Sequence, residues 1–198
     1  MAWWNPFKKT DAQTAPVSAA PRASTSKELE ERLLRDRIIM LGTPIDDEIA
    51  SRVVAQLLFL ESESPTRSIR LYLNSPGGSV TAALAICDTM EFVRSDVSTT
   101  CVGQCSGIAA LILALGARGQ RFAMAGSHYL LTPLTGGSRP GDAAVMDRMR
   151  QTFAERLARA TGQSVTQVLL DCEAERRMNA QEAKDYGLVD GVVDRPGG

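Results

Sequence analysis

Histidine is the scarcest chemistry-bearing residue of this chain: His128 is the only one in 198 residues. Most zinc sites and every Ser-His or Cys-His catalytic pair would have to draw on that one imidazole, so whole mechanistic classes hang on it. Cysteine is sparse too. Cys87, Cys101, Cys105 and Cys172 form no Cys-x-x-Cys pair and lie in apolar-patterned segments, which predicts buried thiols in a reducing compartment. No apolar run reaches the roughly 18 residues of a membrane span. The longest, Ile108 to Leu115, stops at Gly116 and suits a core helix. The opening Met1-Ala-Trp-Trp-Asn-Pro-Phe-Lys-Lys lacks the apolar stretch of a secretory signal, so a cytoplasmic protein is expected. Nor is there an excess of either charge: 22 basic side chains stand against 23 acidic ones, with no basic stripe. That argues against nucleic acid or an anionic membrane surface as the main partner.

What is present is a soluble composition, 44% apolar, of a size for one domain plus a tail. Residues 1–27 are expected to be a disordered tail. Within them, residues 10–27 are mostly Ala, Ser, Thr and Pro, with almost nothing to bury. Ahead of that linker, Trp3, Trp4 and Phe7 beside Lys8 and Lys9 read as a docking peptide, as an interfacial anchor, or as incidental aromatics on a tail.

The folded domain, residues 28–198, alternates helix and strand. Ile45, Ile49, Val53 and Leu57 fall at helical spacing behind acids Asp46, Asp47 and Glu48, which the helix dipole favours. Ser68–Asn74 alternates as a strand, and the helical period resumes from Val80. Val97–Val102 reads as a strand, Gly103–Gly107 as a turn and Ile108–Leu115 as a buried helix. Short strands follow near Arg121–Met124 and His128–Leu131, with a loop over Pro133–Gly141. Val145, Met149, Phe153 and Leu157 form a seam on a long helix from Asp142 to Ala160. Asn179 and Glu182 make a capping box for a helix closed by Gly187, and the pattern ends on a strand. Such alternation with crossover helices predicts a mostly parallel sheet in one α/β domain, with ligand chemistry at the carboxyl ends of the strands.

Two strand-to-helix turns carry glycines there: Asn74-Ser-Pro-Gly-Gly78 and Gly103-Gln-Cys-Ser-Gly107. A glycine pair before a helix turns free amides toward a ligand, or merely makes a tight connection. The second turn has the layout of a nucleophile elbow, with Cys105, Ser106 and Gly107 as the positions a reactive side chain would occupy.

Residues 71–127, from LYLNSPGGSVTAALAICDTMEFV to RFAMAGS, closely resemble the proteolytic subunit of the ATP-dependent Clp protease. The likeness runs from RLLRDRIIMLG at 32–42 to NAQEAKDYGLVD at 179–190. It implies the Clp/crotonase-type α/β fold, a compact head of repeated β-α units with a projecting handle helix, assembled as stacked seven-membered rings. It also implies polypeptide substrates, an AAA+ Clp ATPase ring as partner, and no metal or organic cofactor. Placed on the family's Gly-Gln-x-x-Ser-Met-Gly motif without a gap, the nucleophile's position is Gly107. The family's histidine falls on Thr132 and its aspartate on Glu175, while the oxyanion-hole amides fall on Gly78 and Ile108. The handle is shorter than the family's by about seven residues, or roughly 10 Å of helix.

Glycine has no nucleophilic atom, threonine cannot shuttle a proton near neutral pH, and a carboxylate without an imidazole has nothing to orient. Neighbours offer little rescue. Ser106 lies one residue off the nucleophile's position, and His128 is four strand residues, about 13 Å, from Thr132. Cys105 lacks a base. The expectation is a catalytically degenerate subunit resembling ClpR, co-assembling with an active paralogue. The alternatives are a stand-alone homo-oligomer that binds peptides without cutting them, and an acyl-CoA-binding crotonase-like enzyme.

Overall fold

A computed structural model of the chain describes residues 26–135 and 142–193. The expected tail and the Gly136–Gly141 part of the expected loop lie outside the described residues. Helix α1 (Ser26–Arg35) leads through a tight turn at Arg37 into β1 (Ile38–Leu41). The order then runs α2 (Asp47–Glu63), β2 (Ile69–Ser75), α3 (Val80–Phe92), β3 (Val97–Ser106), α4 (Ile108–Ala114), β4 (Arg121–Met124) and β5 (His128–Leu130). It closes with α5 (Asp142–Thr161), α6 (Val165–Glu173), β6 (Arg177–Asn179), α7 (Ala180–Tyr186) and β7 (Gly191–Val193).

The strands form one sheet in the order β1-β2-β3-β4-β7, parallel throughout that path, with β5 added beside the end of β3 and β6 antiparallel to β5. Two features depart from the sequence reading. The segment expected to turn at Gly103–Gly107 continues as strand to Ser106, because two extra residues bulge out where Leu73 pairs with Cys101 but Ser75 with Cys105. β6 carries no sequence signal of its own. It is three residues long and mostly polar, so it has neither the length nor the apolar alternation that marks a strand.

Local signals set the helix starts as expected. Asp46 accepts from the Ile49 amide at 2.8 Å, Ser79 caps α3, and Asn179 and Glu182 complete the capping box of α7. All four cysteines are free and buried. One face of the sheet is packed under helices: Ile39, Leu41, Ile69, Leu71, Leu73, Cys101 and Ala123 are fully buried there. The alternate residues, among them Met40, Arg70, Val102 and Met124, are exposed on the other face. That is unusual for a parallel sheet, which is normally covered on both sides.

Two buried arginines tie this framework together. Arg37, in the left-handed region at φ 60°, donates to the carbonyls of Leu60, Ser64, Arg67 and Ser68, joining β1 to the end of α2 and the connection beyond it. Arg121 forms a two-pronged pair with Asp190 and donates to Ala114 O at 3.2 Å, Ala160 O at 3.0 Å and Gly187 O at 3.0 Å. It thereby joins the end of α4, the end of α5, the C-cap of α7 and the approach to β7. No helix among the described residues is long and apolar enough to cross a membrane.

Removing Arg121 would orphan three carbonyls and a half-buried carboxylate together. Arg121→Ala is expected to cost about 3–5 kcal/mol in urea unfolding, or roughly 10 °C in Tm. The hydrogen bond from Arg121 holds the Asp190 carboxyl below the usual carboxylate range, against the opposing effect of desolvation. Its contribution is therefore complete above the unfolded-state value of about pH 4 and is lost as pH falls through the lower folded-state value. The stability gap between wild type and Asp190→Asn should be full at neutral pH and close on acidification below that point.

Candidate active site

The two glycine turns meet. Ile45 forms an isolated parallel bridge with Gly78, its amide donating to Gly77 O at 2.8 Å and its carbonyl accepting from the Ser79 amide at 2.7 Å. A Cβ on Gly78 (φ 146°) would fall 2.2 Å from the Ile45 carbonyl oxygen, so only glycine fits. On the other side, a Cβ on Gly77 would lie 2.9 Å from Ser106 O and 3.7 Å from the Ile108 amide nitrogen. The backbone after β2 is thus pressed against the β3–α4 elbow. The Gly78 amide takes no part in the bridge to Ile45, and the Ile108 amide, first in α4, has no intrahelical acceptor.

At the elbow itself Gly107 adopts φ 53° and ψ −126°, a conformation that strains any residue with a side chain. Its amide donates to Leu130 O at 2.8 Å, which fixes it against β5. A Cβ there would stand 3.1 Å from Thr132 Oγ1 and within 4 Å of nothing else beyond its chain neighbours. A side chain at this position would be directed at the hydroxyl of Thr132, which would have to give by a few tenths of an ångström.

The third position follows from the β5–β6 ladder. His128 pairs with Asn179, Tyr129 with Met178 and Leu130 with Arg177, and the Leu131 amide continues the ladder by donating to Arg176 O at 2.9 Å. The ladder ends there: Thr132 follows it on one side, and Glu175 stands on the turn after α6 on the other, its amide donating to Cys172 O at 3.1 Å. Glu175 is exposed and itself left-handed, at φ 49°. The turn that carries it is braced by Asp171, which accepts from Tyr186 OH at 2.9 Å and from Arg176 Nη1 at 3.1 Å, with Arg176 stacked 4.9 Å over the Tyr186 ring. Sequence reasoning missed this brace. Its only trace was an aspartate and an arginine five apart at the end of a short helix. Gly107 and Thr132 are brought together from separate stretches of chain, the first with no nucleophilic atom and the second with only a hydroxyl.

The possible substitutes fare differently. Cys105 is fully buried, and its hydrogen bond with Cys101, together with burial, holds its thiol well above the usual range, so almost no thiolate forms. Ser106 does not point away from every base, contrary to what its offset from the elbow suggests. Its register with β5 sets it on the same face of the sheet as His128, and both line a cleft of about 310 Å³ with Gln104, Arg177, Asn179 and Glu182. Ser106 pairs with Leu130, however, and His128 with Gln104, one pleat further back. No hydrogen bond joins Ser106 to His128 among the described residues. A second cavity of about 190 Å³ lies beyond Thr132, walled by Pro133, Leu134, Phe153, Leu169 and Cys172, with Arg150 and Glu173 at its polar side.

The arrangement combines an α/β sheet with strand-end glycine turns pressed together and an elbow at Gly107. The family model for Clp protease matches residues 21–196, nearly the whole chain. On that match and this fold, the chain belongs to the Clp protease family.

Proposed function

We propose that this chain is a non-catalytic subunit of a Clp proteolytic core, resembling ClpR, that assembles with an active paralogue and leaves peptide cleavage to it. Membership of the family implies, in general, an oligomeric ring and an ATPase partner. The observation that carries the narrower reading is the elbow. The position from which a serine would attack holds Gly107, and the nearest side chain to it is the hydroxyl of Thr132, which cannot act as a base near neutral pH. The preserved backbone fits a subunit that still presents a peptide groove, with the Gly78 and Ile108 amides as donors to a substrate carbonyl. Its setting in this reading is the cytoplasm, and its role is to shape the chamber and the surface on which an AAA+ ATPase ring docks. The shortened handle makes contact between stacked rings the feature most changed from the family.

A stand-alone homo-oligomer that holds peptides is the competing reading, and assembly separates the two. Native mass spectrometry of the chain co-expressed with its active paralogue should give mixed particles; pure particles alone would favour the stand-alone form. The chain by itself should turn over fluorogenic peptides at about 10⁶-fold below an intact triad. Ser106→Ala should leave that residual rate unchanged, and loss of turnover in this variant would move the chemistry to the Ser106–His128 cleft and sink the proposal.

The double substitution Gly107→Ser with Thr132→His should gain covalent labelling by a fluorophosphonate, while Gly107→Ser alone, with no imidazole beside it, should label far more slowly. Equal and negligible labelling of both folded variants would mean that the amides are not positioned for an oxyanion.

A further inference from the structure

Cys101 and Cys105 stand four residues apart on β3, yet the fold sets them closer than four strand residues would. Cys101 pairs with Leu73 and Cys105 with Ser75, so the bulge takes up the length of two residues and leaves the two Cα atoms about 6.6 Å apart, two strand steps. Cysteines joined by a disulfide lie about 4.4–6.8 Å apart at Cα. Both side chains point to the covered face of the sheet, where each is fully buried, as are Leu73 and Ser75. Tyr129, the partner of Cys105 on β5, is buried there too, and its hydroxyl lies 2.8 Å from Ser127 Oγ. Two thiols and two hydroxyls thus form one hydrogen-bonded cluster inside an otherwise apolar core.

The cluster sorts the two sulfurs. The bond from the Cys105 thiol, with those from Tyr129 and Ser127, holds the Cys101 thiol below its usual range against desolvation. The same bond, together with burial, keeps the proton on Cys105. Burial instead pushes the thiols of Cys87 on α3 and Cys172 on α6 up to about 12 and about 11.

We propose that Cys101 and Cys105 are a peroxide-sensitive dithiol that closes to an intramolecular disulfide at the foot of the elbow. The Cys101 thiolate attacks one peroxide oxygen, the O–O bond breaks, and the departing hydroxide takes up a proton to leave as water. The sulfenic acid formed on Cys101 is then attacked by the Cys105 sulfur. The S–O bond breaks, and a second water leaves with the Cys105 proton. Two thiols are oxidised and one peroxide is reduced to two waters. Local opening admits so small an oxidant, and thiol reductants reverse the bond. The disulfide spans Val102, Gly103 and Gln104, the bulge whose Gln104 amide donates to Asn74 Oδ1 at 3.3 Å. Only Ser106 separates Cys105 from Gly107, so closing the bond stiffens the approach to the elbow.

The full chain, freed of reductant, is treated with hydrogen peroxide, alkylated after denaturation and digested with trypsin. Arg94 and Arg118 bound one peptide that holds both cysteines and neither of the others. The expected product is this peptide lighter by two hydrogens, resistant to alkylation and restored by dithiothreitol. It should form several-fold faster than any oxidation of Cys87 or of Cys172, which is the most exposed of the four. Cys105→Ser should strand Cys101 as a sulfenic acid captured by dimedone, whereas the unaltered chain gives little adduct. Should that variant fail to fold, phenylarsine oxide on the unaltered chain provides the second reading: one arsenic per chain, shielding both thiols together. Amide hydrogen exchange over Gly103–Gly107 should slow several-fold in the oxidised chain. Full alkylation of both cysteines after peroxide, earlier oxidation of Cys172, or sulfinic acid on Cys101 with Cys105 untouched would each overturn the proposal. Equal exchange in the two forms would overturn the link to the elbow. None of these readouts depends on whether the chain joins an active paralogue.

Discussion

The Arg121–Asp190 pair is the interaction on which most of the architecture rests. A parallel sheet of three- to ten-residue strands gains little from local contacts, and its helices must be held at defined heights over it. One guanidinium does this by satisfying the last carbonyls of α4, α5 and α7 at once, the groups that helix C-termini leave without partners. Asp190 neutralises the charge that makes this possible and pins the start of β7 to β4. Arg37 repeats the device at the other edge of the sheet, closing the end of α2. In both cases a buried cation is tolerated because nearly all its donors are used.

On that frame the site is built from backbone rather than from side chains. Gly77 and Gly78 allow one turn to rest directly on the next, and the contact leaves no room for a Cβ at either position. The amides of these turns are set by main-chain geometry, which is indifferent to the side chains that stand at Thr132 and Glu175. The elbow and the groove beside β5 are therefore features of the backbone.

Much of this was legible in the residues. Helices with a capping aspartate, serine or asparagine and a regular apolar seam were found where expected, since each carries its own start signal and its own buried stripe. The parallel sheet followed from alternation, and of the positions that the family resemblance singled out, Gly107 and Thr132 are neighbours in the fold. What could not be read depended on pairing between distant strands. The bulge in β3 exists only in relation to β2, and the pairing of β3 with β5 decides that Ser106 shares a cleft with His128. β6 is a strand only because β5 is its partner, and that partnership closes the groove beside His128. The brace around Asp171 is likewise invisible to local patterning, because Tyr186 reaches it from fifteen residues downstream.

The backbone of Gly107 has an evolutionary corollary. At φ 53° and ψ −126° a glycine sits without strain, whereas any residue bearing a side chain is penalised there by about 1–3 kcal/mol. Any side chain placed at this elbow would lower the stability of the fold at once. Under the proposed role that penalty makes the glycine hard to leave, because a serine here would have to acquire a base opposite it before it offset its own cost to the fold.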